Sequence, residues 1–258
     1  MDLGITGIRV IITAGAGGIG LEIARAFARE GARIEVCDVD QAALDDLPQS
    51  APGVTGSVCD VADRAAVQRF MDGALGRLGG LDVLVNNAGI AGPTGRVDQI
   101  SPEDWDRTLA VDITGHFNVT RLAVPALKQS DNPSIIGLAS AAGRFGFPLR
   151  SPYAAAKWGV VGFIKSLAME LGEFGIRANA ILPGSVDGPR IRSVFEHKAR
   201  ERNLSMEEVQ AMALSATSLK RLIPPQHLAN VAVFLASPLG STISGQAIAV
   251  DGDLQMLV

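Results

Sequence analysis

Charge of either sign is scarce in this sequence. Only 19% of its 258 residues are Asp, Glu, Lys or Arg, and the formal net charge is −4. That leaves no basic excess for a phosphate backbone to attract, so no nucleic-acid partner is expected. Long apolar runs are also missing, since none approaches the roughly 18 residues of a membrane span. Residues 1–7 lack the basic and then apolar regions of a secretory signal. No membrane partner is expected, and the cytoplasm is the expected compartment. Cysteine is limited to Cys37 and Cys59, with no Cys-x-x-Cys spacing, and the three histidines His116, His197 and His227 are scattered. This excludes the common zinc patterns, so no metal is expected. The cysteines read as isolated, reduced thiols in or near the core, and no chemistry is assigned to the histidines.

What is present is 47% hydrophobic sequence with 29 glycines, the composition of a compact globular chain. Val- and Ile-rich runs near Arg9 to Thr13, Arg33 to Cys37, Val54 to Val58, Leu81 to Asn86, Ser134 to Leu138, Arg177 to Ile181 and Ala247 to Val250 read as strands. Helical periods near Gly18 to Glu30, Arg64 to Leu78, Pro102 to Ala126, Pro152 to Gly172 and Pro225 to Ala236 separate them. The alternation predicts an α/β fold, a doubly wound, mostly parallel seven-stranded sheet with helices on both faces. Ser101 before Pro102 and Asp63 before Arg64 are helix caps by type. One segment, about 188–222, breaks the alternation and carries a capping box at Ser205 and Glu208. With no linker or repeat elsewhere, residues 1–258 read as one domain in which this insertion covers the substrate.

Directly after the first strand come Gly15, Gly17, Gly18, Ile19 and Gly20, and then an amphipathic helix. A strand turning sharply into a helix leaves free N–H groups and a positive dipole end, and absent side chains let a pyrophosphate approach the backbone. Two glycine registers are open: Gly15, Gly17 and Gly20 satisfy G-x-G-x-x-G, while Gly18 and Gly20 suit a looser spacing. The second strand ends in Asp38, eighteen residues after Gly20. A carboxylate there accepts hydrogen bonds from the adenosine ribose and repels a 2′-phosphate. No Lys or Arg stands in the loop, so NAD is the expected cofactor.

The single tyrosine, Tyr153, lies four residues before Lys157 in a helical segment, so the two project from one face. An ammonium beside a phenol favours the phenolate and makes it a usable general base. Such a base can take the hydroxyl proton of an alcohol while hydride leaves its carbon.

With these residues in hand, the chain resembles the short-chain dehydrogenase/reductase family nearly end to end, in its single-domain subtype. The likeness runs through the glycine loop, Asp38, Asp60 and Val61, Asn86 to Gly89, Ser140, Tyr153 with Lys157, Pro183 and Gly184, and the closing Val250 to Gly252. The resemblance implies that Asp60 and Val61 contact the adenine, and that Asn86, Asn87, Ala88 and Gly89 form a floor beneath the cofactor. It implies that Ser140 holds the substrate oxygen, Tyr153 is acid or base, and Lys157 binds the nicotinamide ribose. Pro183, Gly184 and Val186 would shape the nicotinamide pocket.

Three positions depart from the family pattern. Ala14 replaces the usual first loop glycine, a change that a negative φ would accept. Gly188 stands where a threonine often binds the carboxamide. Asp112 replaces an asparagine that helps carry protons out through Lys157; it can accept but not donate as the amide does, so Asp112→Asn should leave turnover similar or faster.

The resemblance also implies a homotetramer or homodimer built on the helices near Pro102 to Ala126 and Pro152 to Gly172. The small-molecule partner is a secondary alcohol or its carbonyl. Arg144, Arg150, Arg190 and Arg192 lie in or beside the stretches that frame the pocket and would suit an anionic substrate. The rival expectations are an NADPH-dependent ketone or 3-oxoacyl-carrier-protein reductase and, from another class, a non-catalytic dinucleotide-binding regulator.

Overall fold

A computed structural model describes residues 3–257; Arg190, His197, Lys198 and Glu201 lie outside the residues whose side chains are described. In chain order the elements are β1 (Arg9–Thr13), α1 (Gly18–Arg29), β2 (Arg33–Asp38), α2 (Gln41–Asp45), α3 (Leu47–Ser50), β3 (Val54–Val58), α4 (Arg64–Leu78) and β4 (Val83–Asn86). Then follow α5 (Pro102–Leu109), α6 (Gly115–Leu127), β5 (Ser134–Leu138), α7 (Ser151–Leu171), β6 (Arg177–Pro183), α8 (Pro189–Arg202), α9 (Met206–Ser215), α10 (Pro225–Ala236) and β7 (Ala247–Val250). The seven strands form one sheet of order β3-β2-β1-β4-β5-β6-β7, parallel at every pairing.

A parallel sheet is covered on both faces, which is why its strands read as continuous apolar runs. In β1, Ile11 packs into one core with Phe70, Val119 and Ile164, while Val10 and Ile12 pack into the other with Phe27 and Leu228. Helices α4, α6 and α7 thus cover one face, and α1 and α10 the other. Each fully buried side chain of this size contributes roughly 1.5–3 kcal/mol. The order in which strands are added reverses between β1 and β4, and the crevice at their carboxyl ends is where such sheets bind ligands.

The caps behave as their residue types require. Asp63 accepts from Ala65 and Ala66 N–H, Ser101 from Asp104 N–H, and Ser205 and Glu208 bond reciprocally. The insertion forms two helices, α8 and α9. The short helices α2 and α3 have no counterpart in the sequence pattern, because five- and four-residue helices are too short to show a period. No helix among the described residues is long and apolar enough to cross a membrane.

Two sequence-based expectations need correction here. The segment from Pro102 to Ala126 is not one helix: a π turn at Ala110–Thr114 interrupts it. The wider turn takes one extra residue and rotates Asp112 into the interior, where it is 0% exposed. Second, Cys37 and Cys59 are not isolated from each other. β2 and β3 run in register, Cys37 opposite Ser57, and this brings the two thiols together as a hydrogen-bonded pair of free cysteines. That bond and burial push the Cys37 thiol well up.

Candidate active site

The loop from β1 to α1 settles which glycine register the backbone uses. Gly18 has φ +53° and Ala14 φ +49°, while a Cβ on Gly20 would stand 2.1 Å from the Ala14 carbonyl oxygen. Positions 14, 18 and 20 are therefore the constrained ones, the looser spacing. Gly15 is also required, by close approach to Val36, whereas Gly17 is open on its side-chain side. Ala14 does not have the negative φ expected of it: a left-handed alanine costs about 1 kcal/mol, and Asn87 Nδ2, donating to the carbonyls of Thr13 and Ala14, holds it there.

The N-terminus of α1 is open in the same sense. Its cap residue is Gly17, and no side chain caps the first turn, so the N–H groups point at the crevice with the positive end of the helix dipole. Asp38 stands beside them, its Oδ2 accepting from Ala16 N–H at 3.1 Å and its Oδ1 from Val39 and Asp40 N–H at 2.8 and 3.2 Å. An anion cradle next to a carboxylate oriented by three backbone donors fits the pyrophosphate and ribose of a dinucleotide.

A cavity of about 440 Å³ runs from this cradle to Tyr153. Its lining joins Gly17, Gly18, Ile19, Asp38 and Asn87 with Gly89, Ser140, Tyr153, Lys157, Pro183, Gly184 and Val186. These come from six separate places in the chain: the turns and starts of elements that follow β1, β2, β4, β5 and β6, and the first turns of α7. Gly188 and the start of α8 (Pro189, Ile191, Val194) line it too, as does Leu257.

Some site residues named from the sequence stand elsewhere. Asn86 is 0% exposed and donates to Thr120 Oγ1, away from the cavity; Asn87 is the asparagine that faces it. Ala88 is buried, held by Thr13 Oγ1. Asp60 accepts from Ala62 N–H and pairs with Arg107 at 3.0 Å, and Val61 is buried against Gly115. Neither lines the cavity.

At the reacting end, α7 presents Tyr153 and Lys157 one turn apart. Ser140 is brought beside them by a short turn after β5, and its hydroxyl accepts from Ala142 N–H. Lys157 Nζ lies 5.6 Å from the Tyr153 ring centroid, donates to Leu138 O at 3.2 Å and stands 3.5 Å from Asp112 Oδ2. Its side chain is only 5% exposed, so water screens its charge poorly. Phe147 meets the Tyr153 ring edge-on at 6.5 Å, and the Arg150 guanidinium lies 5.7 Å from that ring.

His116 lies beneath this cluster, 3.3 Å from Ala88 O. Burial, assisted by the nearby Lys157 charge, holds its imidazole down to about 3, so it is neutral. His116 received no chemistry from the sequence, and the structure sets it against the backbone of Ala88. His227 is exposed, and His197 lies outside the described residues.

The arginines divide. Arg144 is not available to a substrate: it pairs with buried Asp251 at 2.6 Å and donates to Leu254 O, tying the turn after Ser140 to the tail that brings Leu257 into the cavity. Arg144→Met strands the Asp251 carboxylate in the interior, and thermal or denaturant unfolding should show a loss of about 3 kcal/mol. A loss below about 1 kcal/mol would show that the pair contributes little. Arg192 pairs with Asp187 in the open, and Arg190 lies outside the described residues. Of the three arginines whose side chains are described, Arg150 lines the cavity, donating to Ala91 O and Thr94 Oγ1.

Comparison with known proteins finds relatives over nearly the whole chain. A family model described as enoyl-(acyl carrier protein) reductase matches residues 14–254. The chain is similar to the 3-oxoacyl-[acyl-carrier-protein] reductase FabG of Thermotoga maritima, 38% identical over 248 residues that cover 95% of this chain and 96% of the relative. It is similar to a D-beta-hydroxybutyrate dehydrogenase of Cupriavidus necator, 35% identical over 254 residues, 96% and 98% of the two chains. Among solved structures it resembles a variant of actinorhodin polyketide ketoreductase with NADPH, with a TM-score of 0.89, 32% identity and 96% of each chain covered.

Proposed function

This chain belongs to the short-chain dehydrogenase/reductase family of oxidoreductases, and from that premise we propose that it interconverts a secondary alcohol and its carbonyl with NAD(H). The observation that carries the proposal is the shared cavity: Tyr153, Ser140 and a buried Lys157 line it together with the open α1 N-terminus and Asp38. A bound nicotinamide supplies the hydride acceptor or donor. Ser140 holds the substrate oxygen, and Tyr153 takes its proton in oxidation and returns it in reduction. Lys157 favours the deprotonated phenol and holds the nicotinamide ribose. Asn87 and Gly89 form the floor, and Pro183, Gly184 and Val186 the nicotinamide wall.

NAD rather than NADP rests on Asp38, since two of the relatives reduce 3-oxoacyl or polyketide substrates and one was solved with NADPH. An NADPH-dependent ketone reductase is therefore the second reading, and comparing rates with NAD and NADP separates the two. We take the chain as one catalytic unit, in the cytoplasm, with residues 188–222 covering the substrate. Exposed Phe117, Trp158 and Met169 on α6 and α7 support a tetramer or dimer, which light scattering sizes directly.

The substrate class follows from the reacting end of the cavity. Phe147, Ile191, Val194 and Leu257 make it apolar, and Arg150 puts a guanidinium beside Tyr153. A short aliphatic chain bearing an anionic group fits that combination, because a guanidinium held in place attracts a carboxylate. In a screen of secondary alcohols, sugars, polyols and hydroxy acids by NADH absorbance, hydroxy acids should be turned over best. Arg150→Met should lower kcat/KM for them about tenfold and leave neutral alcohols nearly unchanged. Neutral alcohols of equal size reacting as well as acids in the parent would reject the anionic class.

A further inference from the structure

Asp112 stands where the family resemblance calls for an uncharged asparagine, and its surroundings give that difference a consequence. Its Oδ1 accepts from Ile90 N–H at 2.7 Å, a bond an amide oxygen could equally accept. Its Oδ2 has no hydrogen-bond partner among the described residues and faces Lys157 Nζ at 3.5 Å. Both side chains are sealed from water, 0% exposed for Asp112 and 5% for Lys157. A Cβ on Gly89 would meet Lys157 Nζ at 2.9 Å and the Asp112 carboxylate at 3.5 Å, so the pair lies against the floor of the cavity.

The other titratable groups around the pair do not offset the carboxylate. His116 on α6 is neutral, Tyr153 on α7 is common to parent and variant and so drops out of the comparison, and the Arg150 guanidinium stands 5.7 Å from the Tyr153 ring with its hydrogen bonds to Ala91 O and Thr94 Oγ1. Asp112 and Lys157 together therefore carry no net charge, whereas asparagine at the same position would leave the lysine a full cation beneath the cavity floor. The two redox forms of a nicotinamide dinucleotide differ at the ring, which is cationic when oxidised and neutral when reduced. Everything else about them, the pyrophosphate and both riboses, is shared.

We infer that Asp112 sets the balance between the two forms of the cofactor: by neutralising Lys157 it lets the site hold the oxidised, cationic ring more tightly relative to the reduced one than an asparagine would. The inference rests on the nicotinamide-dependent reading above. It makes Asp112 a positioning residue acting through Lys157. The overall equilibrium of the reaction is untouched; the equilibrium between enzyme-bound states moves toward the oxidised cofactor with alcohol, the direction of carbonyl reduction, because binding and bound-state energies are linked.

The test is to titrate the parent, Asp112→Asn and Asp112→Ser separately with NAD+ and with NADH, following protein or nicotinamide fluorescence, and to compare the ratio Kd(NAD+)/Kd(NADH). One buried unit charge at this range predicts a ratio about tenfold higher in both variants. A role confined to fixing Ile90 weakens both cofactors alike, and a ratio unchanged within about twofold in whichever variant folds overturns the inference. A parent that binds neither NAD+ nor NADH rejects the nicotinamide reading itself, whereas a parent that binds both with a ratio insensitive to residue 112 rejects the inference alone.

Discussion

Tyr153→Phe lowers turnover by about a thousandfold, within the range a positioned acid or base supplies, while the Kd for the cofactor stays within about threefold of the parent. The substitution removes one hydroxyl and keeps the ring, so the edge-on contact with Phe147 at 6.5 Å and the place of Lys157 against Leu138 O survive. What is lost is the only phenol in the chain, and with it the group that receives the alcohol proton. Stopped-flow or steady-state assays give the rate and fluorescence titration gives the affinity. A variant that keeps a tenth of parental turnover would transfer the proton role to another group, with Ser140 the first to examine. A parent with no redox activity on any alcohol or ketone, yet a cofactor-dependent biological role, would favour the non-catalytic regulator instead.

The second large effect concerns the cofactor. The parent should use NAD over NADP by at least about a hundredfold in kcat/KM, and Asp38→Ser should remove most of that preference. A 2′-phosphate brings nearly two negative charges onto the ribose, and the Asp38 carboxylate is fixed in front of it by the N–H groups of Ala16, Val39 and Asp40. It cannot swing away without breaking three bonds. Val39, next in the chain and 65% exposed, offers no positive charge in compensation. Serine removes the repulsion, so NADP gains; it also removes the acceptor of Ala16 N–H, so NAD loses some affinity through the loosened loop. Equal or faster turnover with NADP in the parent would reject NAD and return the chain to the ketone-reductase reading.

Much of the architecture was legible because the signals are local. The strands announce themselves as Val- and Ile-rich runs since a parallel sheet buries both faces, and the caps at Asp63, Ser101 and Ser205 sit at helix starts because short oxygen-bearing side chains satisfy the first free N–H groups. Asp38 and the glycine loop were readable for the same reason: each marks the end of a strand, where function in this topology collects. The π turn at Ala110–Thr114 left no mark, because one inserted residue hardly disturbs an apolar period. Ala14 gave no hint of its positive φ, which depends on Asn87, just past the end of β4.

The sequence alone determined which chemical groups are available: one phenol, a lysine one turn from it, an acid after the second strand, and an acid in place of an amide at 112. Spacing along a helix or strand is a short-range geometric rule, so these pairings do not depend on the rest of the chain. Only the tertiary structure decided which charges face one another. It gave Arg144 to Asp251, left Arg150 at the cavity, joined Cys37 to Cys59 and set Asp112 against Lys157. Charge pairing is a matter of distance and burial between segments remote in the chain, and sequence order carries neither.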